Sequence, residues 1–112
     1  PRISTNVSVF DYEPDANPLP RYLSSLDCYE ALSASVLVLP SHGRVFKGLH
    51  ARLAQQRVHH AARLDEALQA CAARPHSALD IVPVLFKRQL DVHQLTFAMG
   101  EALAHLHALY FA

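Results

Sequence analysis

The feature that most constrains the fold is an uninterrupted helical pattern over residues 49–73. This segment contains neither glycine nor proline. Side chains suited to one buried stripe recur in it at steps of three and four, which predicts a single helix of about seven turns. The predicted stripe comprises Leu49, Leu53, Gln56, His60, Leu64, Leu68 and Cys71.

Two further helices are predicted after this one. The pair Arg74-Pro75 stops the long helix, and Ser77 with Asp80 three residues later forms a capping box that opens the next one. Pro83 lies deeper in that helix than the first turn, which predicts a kink or a short element.

A second capping box, Asp91 with Gln94, opens a helix from about residue 92 to at least 110. Its predicted buried side comprises Leu95, Ala98, Met99, Ala102, Leu106 and Leu109.

The first 48 residues have a different pattern. Residues 3–10, with Ile3 at their start, predict a loop that leads into a short strand, and a proline-rich loop follows. Apolar residues at helical spacing predict a helix over residues 20–32. The run VLVLP (36–40) predicts a strand buried on both faces, as in a layered α/β fold.

The predicted fold class is therefore mostly α. Residues 1–48 are interpreted as the remnant of an α/β layer, and residues 49–112 as a separate helical domain of three helices. Because the chain opens on Pro1-Arg2 and closes inside an apolar periodic segment, we expect it to be a piece of a longer protein.

Composition excludes several classes of protein. Hydrophobic residues make up 51% of the 112 residues, so the chain is expected to fold. Ten basic residues balance ten acidic ones, which leaves no overall field for nucleic acid or an anionic membrane. Cys28 and Cys71 lack a CxxC spacing, and we interpret them as buried thiols of a reducing, cytoplasmic compartment.

His42 is the candidate metal ligand. It follows a predicted buried strand at once, in the turn Ser41-His42-Gly43, where a rigid scaffold would hold its imidazole. Neutral imidazole nitrogens at fixed positions suit zinc, but a zinc site needs about three further ligands.

The motif VLPSHG, together with GLHARLAQQRVHHAARL behind it, resembles the C-terminal part of a metallo-β-lactamase-fold hydrolase. The segments PRISTNVSVF and NPLPRYLSSL resemble the same branch of this family. The segment SALDIVPVLFKRQLDVHQLTFAMGEALAHL resembles its winged-helix-like C-terminal domain, although the wing itself is absent.

The resemblance implies that His42 is the last ligand of a two-metal, zinc-dependent centre that activates a hydroxide for hydrolysis. The family's other ligands come from an HxHxDH motif, a further histidine and a bridging aspartate, all upstream of Pro1. The sequence contains no HxHxDH motif, so we expect the chain by itself neither to bind zinc stably nor to be catalytic. No residue is predicted to be catalytic or to bind another cofactor.

The implied partners are the rest of the parent hydrolase domain and its small-molecule substrate. The helical domain is expected to flank the active-site entrance of that parent. Exposed strand edges and apolar faces in the isolated chain predict self-association as a dimer or a domain-swapped assembly.

The other histidines have a simpler interpretation. His59 and His60 are adjacent on a helix and point about 100° apart, so they do not form a metal pair, and the same geometry excludes His105 with His107. His60 lies on the predicted apolar stripe and is interpreted as an interface residue with its hydrogen bonds satisfied, rather than as a metal ligand.

The alternative hypothesis is a non-enzymatic helical module that binds a protein partner or nucleic acid. Residues 77–111 have the order of a helix-turn-helix, but residues 92–111 contain no lysine or arginine to neutralise phosphates. Nucleic-acid binding is therefore the less favoured form of this alternative.

Overall fold

The computed structural model describes residues 5–112, which contain four α-helices. These are α1 (Pro18–Ser25), α2 (Leu49–Ala73), α3 (Ala78–Leu85) and α4 (Val92–Tyr110). A 3-10 turn, Leu26–Tyr29, continues α1. The predicted mostly α fold class is confirmed.

Helix α2 has the predicted length, but its buried stripe differs at one position. Leu49, Leu53 and His60 are buried as predicted, whereas Leu68 is half exposed and its neighbour Ala67 is fully buried. At about 100° per residue, Ala67 returns to the direction of Leu49 while Leu68 points about 100° away. The prediction was wrong there because repeated steps of four drift off a 3.6-residue period.

Both capping boxes are present and begin their helices where predicted. The Ser77 side chain accepts a hydrogen bond from the Asp80 backbone N–H, and the Asp80 carboxylate accepts one from the Ser77 N–H. Asp91 and Gln94 make the same reciprocal pair at α4. Pro83 lies inside α3, which is a short helix of eight residues, as its sequence predicted.

Removal of the first cap should destabilise the protein measurably. Ser77→Ala is expected to lower the free energy of unfolding by about 1 kcal/mol, because the Asp80 N–H at the helix start loses its acceptor. Ser77→Thr keeps a hydroxyl at the same place and should lose less than half as much. Urea unfolding followed by circular dichroism compares the two variants, and equal losses would contradict a capping role.

Helix α4 is buried on two sides. One side packs on α2 and α3 in a cluster around Ala67, Ile81 and Ala102, and the residues predicted to be buried lie here. The opposite side packs Ala104 against α1 and the N-terminal segment. This second buried side was not predicted, and it places α4 at the centre of the molecule.

The first 48 residues depart most from prediction. Residues 5–10 form no strand, although Val7 and Val9 are buried on alternate positions; Ile3 lies outside the described residues. The helix predicted over 20–32 ends at Ser25 and continues only as the 3-10 turn to Tyr29. Residues 30–35, where the last turn of the helix was predicted to end, form non-helical turns and bends instead.

The strand predicted at residues 36–40 is reduced to a single antiparallel bridge between Val38 and Phe46. Leu37 and Leu39 are more than half exposed, so the segment is not buried on both faces. The prediction was wrong for this chain because, within residues 5–112, no neighbouring strand extends the pairing.

A third cluster crosses the predicted domain boundary at residues 48 and 49. Leu26 from the 3-10 turn packs with Leu49 and Leu53 from α2, and Val36 and Val38 pack beside them. The division of the chain into two domains at this point stays a prediction.

The two cysteines are free, and they differ in burial. Cys71 is partly buried and packs against the core between α2, α3 and α4. Cys28 is exposed, so the prediction that it is buried was wrong. It lies in the 3-10 turn, where only Leu26 points fully into the interior.

Among residues 5–112, no helix combines the length and the apolar character needed to cross a membrane.

Candidate functional site

His42 lies at the middle of a loop that is closed at its base. The Val38 N–H donates to the Phe46 carbonyl at 2.8 Å, and the Phe46 N–H donates to the Val38 carbonyl at 3.0 Å. Gly43 has a φ of +92°, a conformation that glycine adopts without strain. The chain thus bends at residues 41–43, within the loop 38–46 whose two ends are joined by hydrogen bonds, and the predicted tight turn is replaced by this wider loop.

The loop borders an open cleft of about 710 Å³. His42 and Ser41 contribute its polar edge, and Leu49 and Leu53 from the start of α2 contribute apolar lining. Gly48, with a φ of +89°, forms the N-terminal boundary of α2 and turns the chain from the His42 loop into that helix. The cleft therefore brings the predicted ligand and the first two turns of α2 together.

The described residues do not form a metal site by themselves. A zinc ion bound by protein takes three or four ligands within about 2.3 Å. Among residues 5–112, no three histidine, cysteine, aspartate or glutamate side chains are placed to hold one ion. His42 is exposed and is the one member of the predicted site that this chain carries, so its role as a ligand stays a prediction.

A second cluster of histidines lies inside the molecule, where α2 crosses α4. His60 and His105 are each only 1% exposed. Nδ1 of His60 lies 3.4 Å from Nε2 of His105, and the two ring centroids are 5.5 Å apart. The Tyr22 ring from α1 packs edge-on against His60, with the ring centroids at 5.6 Å.

Hydrogen bonding assigns the tautomers of this pair. Nδ1 of His105 lies 2.7 Å from the Glu101 carbonyl oxygen, which only accepts, so this nitrogen carries a proton. In a neutral His105, Nε2 is then unprotonated and accepts from Nδ1–H of His60. Nε2 of His60 is left as an acceptor, buried and without a hydrogen-bond partner among the described residues.

The surroundings of the pair disfavour the charged form of both rings. Burial lowers the pKa of His60 to about 4, and the neighbouring His105, His59 and Arg63 act in the same direction. Burial also lowers the pKa of His105, against the opposite influence of its bond to the Glu101 carbonyl. Both imidazoles are therefore neutral near pH 7.

Of the two buried histidines, only His60 was identified from the sequence as an interface residue. His60 was predicted to be an interface residue with its hydrogen bonds satisfied. It is buried at the interface as predicted, but its Nε2 has no hydrogen-bond partner among the described residues. His105 was considered only with His107, and its contact with His60 was missed. A signal was available, because α4 carries small or apolar residues around most of its circumference, which is typical of a helix buried on more than one side.

Comparison with known proteins bears on the fold. Residues 64–112 match the family described as metallo-beta-lactamase-like, C-terminal domain. The crystal structure of a Beta-lactamase domain protein from Burkholderia ambifaria superimposes on 97% of this chain, with a TM-score of 0.94 and 60% sequence identity. The chain is similar to the C-terminal part of a metallo-β-lactamase-fold protein. The resemblance predicted from the sequence is thus confirmed.

The extent of the two matches differs. The family match covers the last part of α2 together with α3 and α4, whereas the structural match also covers almost all of the preceding residues. This metallo-β-lactamase-like chain spans 32% of the Burkholderia ambifaria protein. No curated protein matches it significantly.

Proposed function

We propose that this chain is the C-terminal part of a zinc-dependent hydrolase of the metallo-β-lactamase superfamily. The single observation that carries the proposal is the position of His42, at the tip of a hydrogen-bonded loop beside an open cleft. The 60% identity to a Beta-lactamase domain protein over 97% of this chain supports it.

In this proposal His42 supplies one imidazole ligand, and residues outside this chain supply the others. The first turns of α2 supply a wall of the entrance, because Leu49 and Leu53 line the same cleft as His42. Apolar side chains at that wall would favour substrates with an apolar portion. The winged-helix-like character of residues 49–112 and the cytoplasmic location stay predictions, as does self-association of the isolated chain.

The test uses the longer protein that contains this chain. His42→Ala is expected to reduce both bound zinc, measured by mass spectrometry of the metal, and hydrolysis of a lactam or thioester probe. Since loss of an outer-shell partner already costs about 10- to 100-fold, loss of a ligand should cost at least about 100-fold.

His93→Ala is the matched control, because His93 is exposed at the start of α4 and does not line the cleft. It should leave zinc content and hydrolysis near those of the unaltered protein. Unchanged zinc and activity in His42→Ala would remove His42 from the proposed centre.

A further inference from the structure

The contact between α2 and α4 includes two buried imidazoles, His60 and His105, beside the apolar cluster that these helices share with α3. His60 and His105 are each 99% removed from solvent, and the Nδ1–Nε2 separation of 3.4 Å allows one proton between them. The other proton of the pair is already committed to the Glu101 carbonyl. The remaining nitrogen, Nε2 of His60, is buried and has no hydrogen-bond partner among the described residues. An N–H formed there by protonation would therefore find no acceptor.

We propose that the His60–His105 pair is a pH-sensitive latch, which holds α2 against α4 while both rings are neutral and releases them on acidification. A proton added at Nε2 of His60 would create a buried cation whose new N–H has no acceptor. A proton added at Nε2 of His105 would place two N–H groups against each other and break the contact between the helices.

The basic groups beside the latch oppose a positive charge on it, whereas the Glu101 carbonyl favours one on His105. From α2, His59 and Arg63 lie close enough to disfavour the protonated form of His60. From α1, Tyr22 presents the edge of its ring to His60. From α4, the Glu101 carboxylate accepts a hydrogen bond from the Val7 N–H, and burial raises the pKa of this carboxyl.

The direction of the pH dependence follows from these placements. The pKa of His60 is about 4 in the folded chain and 6.5 as a reference for the unfolded chain, so the unfolded chain takes up the proton first. The latch therefore contributes fully above pH 6.5, and its contribution is lost as the pH falls from 6.5 towards 4. The raised pKa of Glu101 has the opposite effect, since the folded chain takes up that proton more readily than the unfolded chain.

The test measures urea unfolding of the full 112-residue chain at pH 7.5 and at pH 5.0. From the two pKa values, the unfolding equilibrium constant should rise on the order of 25-fold between these conditions through His60 alone. His60→Asn places an amide where Nδ1 stood, and this amide does not titrate. The rise in the unfolding equilibrium constant of this variant should therefore be at least about fivefold smaller than that of the unaltered chain. His59→Gln, the matched control, alters the exposed neighbour and should keep most of the rise.

Glu101→Gln separates the titration of His60 from that of Glu101, because it removes only the opposing contribution of the Glu101 carboxyl. The unfolding equilibrium constant of this variant should rise between pH 7.5 and pH 5.0 at least as much as that of the unaltered chain. A rise of the same size in His60→Asn and in the unaltered chain would overturn the proposal.

Nitrogen-detected NMR of the unaltered chain gives a second readout that does not depend on whether a variant folds. Both rings should show a protonated Nδ1 and an unprotonated Nε2 at pH 7.5, and His60, whose pKa is about 4, should keep this state down to about pH 5. Protonation of either ring near pH 6.5, with the fold intact, would overturn the proposal.

Discussion

Ile81→Ala is expected to lower the free energy of unfolding by about 2 to 5 kcal/mol, the range for removing a fully buried aliphatic side chain. Ile81 has no exposed surface and projects from the short helix α3 into the cluster shared with α2 and α4. Its buried neighbours include Ala67, Ala98 and Ala102, and methyl groups cannot extend into the space that the substitution leaves. The cavity should therefore remain, which favours the upper part of the range.

Leu79→Ala is the matched control on the same helix. Leu79 is 58% exposed, so its truncation should change stability by less than about 0.5 kcal/mol. Urea unfolding at pH 7.5, above the titration of the histidine latch, compares the two variants. Equal losses would contradict the placement of the Ile81 face of α3 against the core.

Gly100→Ala is expected to destabilise the protein by about 1 to 3 kcal/mol, although alanine is the better helix former by about 1 kcal/mol. An added Cβ would lie 2.6 Å from Oγ and 2.7 Å from Cβ of Ser8. The Ser8 segment is held in place, because the Val9 N–H donates to the Gly100 carbonyl at 3.1 Å and the Val7 N–H donates to the Glu101 carboxylate at 3.3 Å. Moving Ser8 aside would disturb both bonds.

A double-variant cycle tests this explanation. In a Ser8→Gly background both close atoms are gone, and the nearest remaining one is the backbone Cα of residue 8 at 3.5 Å, an ordinary contact. Gly100→Ala should then cost little or should stabilise the chain. The same loss in both backgrounds would mean that the close approach of α4 to the N-terminal segment is not the cause.

The starts of helices α2, α3 and α4 could be predicted well because their signals are local. Ser77 with Asp80 and Asp91 with Gln94 are pairs only three residues apart, and each begins a helix where the pattern placed it. The end of α2 near Pro75 follows from the same kind of local restriction. The error at Leu68 had a geometric origin, since a helical stripe drifts when every step is taken as four residues.

The segment 36–40 could not be predicted from its own residues. An apolar run of this composition is suited to a buried strand, but a strand exists only when other strands pair with it. Within residues 5–112 its one partner is Phe46, so a single bridge forms and Leu39 faces solvent. The chain does change direction at the His42 loop that follows, as predicted, because Gly43 provides the positive φ locally.

By itself, the sequence determined where α2, α3 and α4 begin, where α2 ends, which face of α2 is buried over most of its length, and where the His42 loop lies. Caps, prolines and periodicity act over a few residues, so these features need no knowledge of distant contacts. Only the tertiary structure decided that His60 meets His105, 45 residues away, and that Gly100 lies against Ser8. Both contacts arise because α4 is packed on two sides at once, and the choice of which surfaces meet depends on the packing of the whole chain.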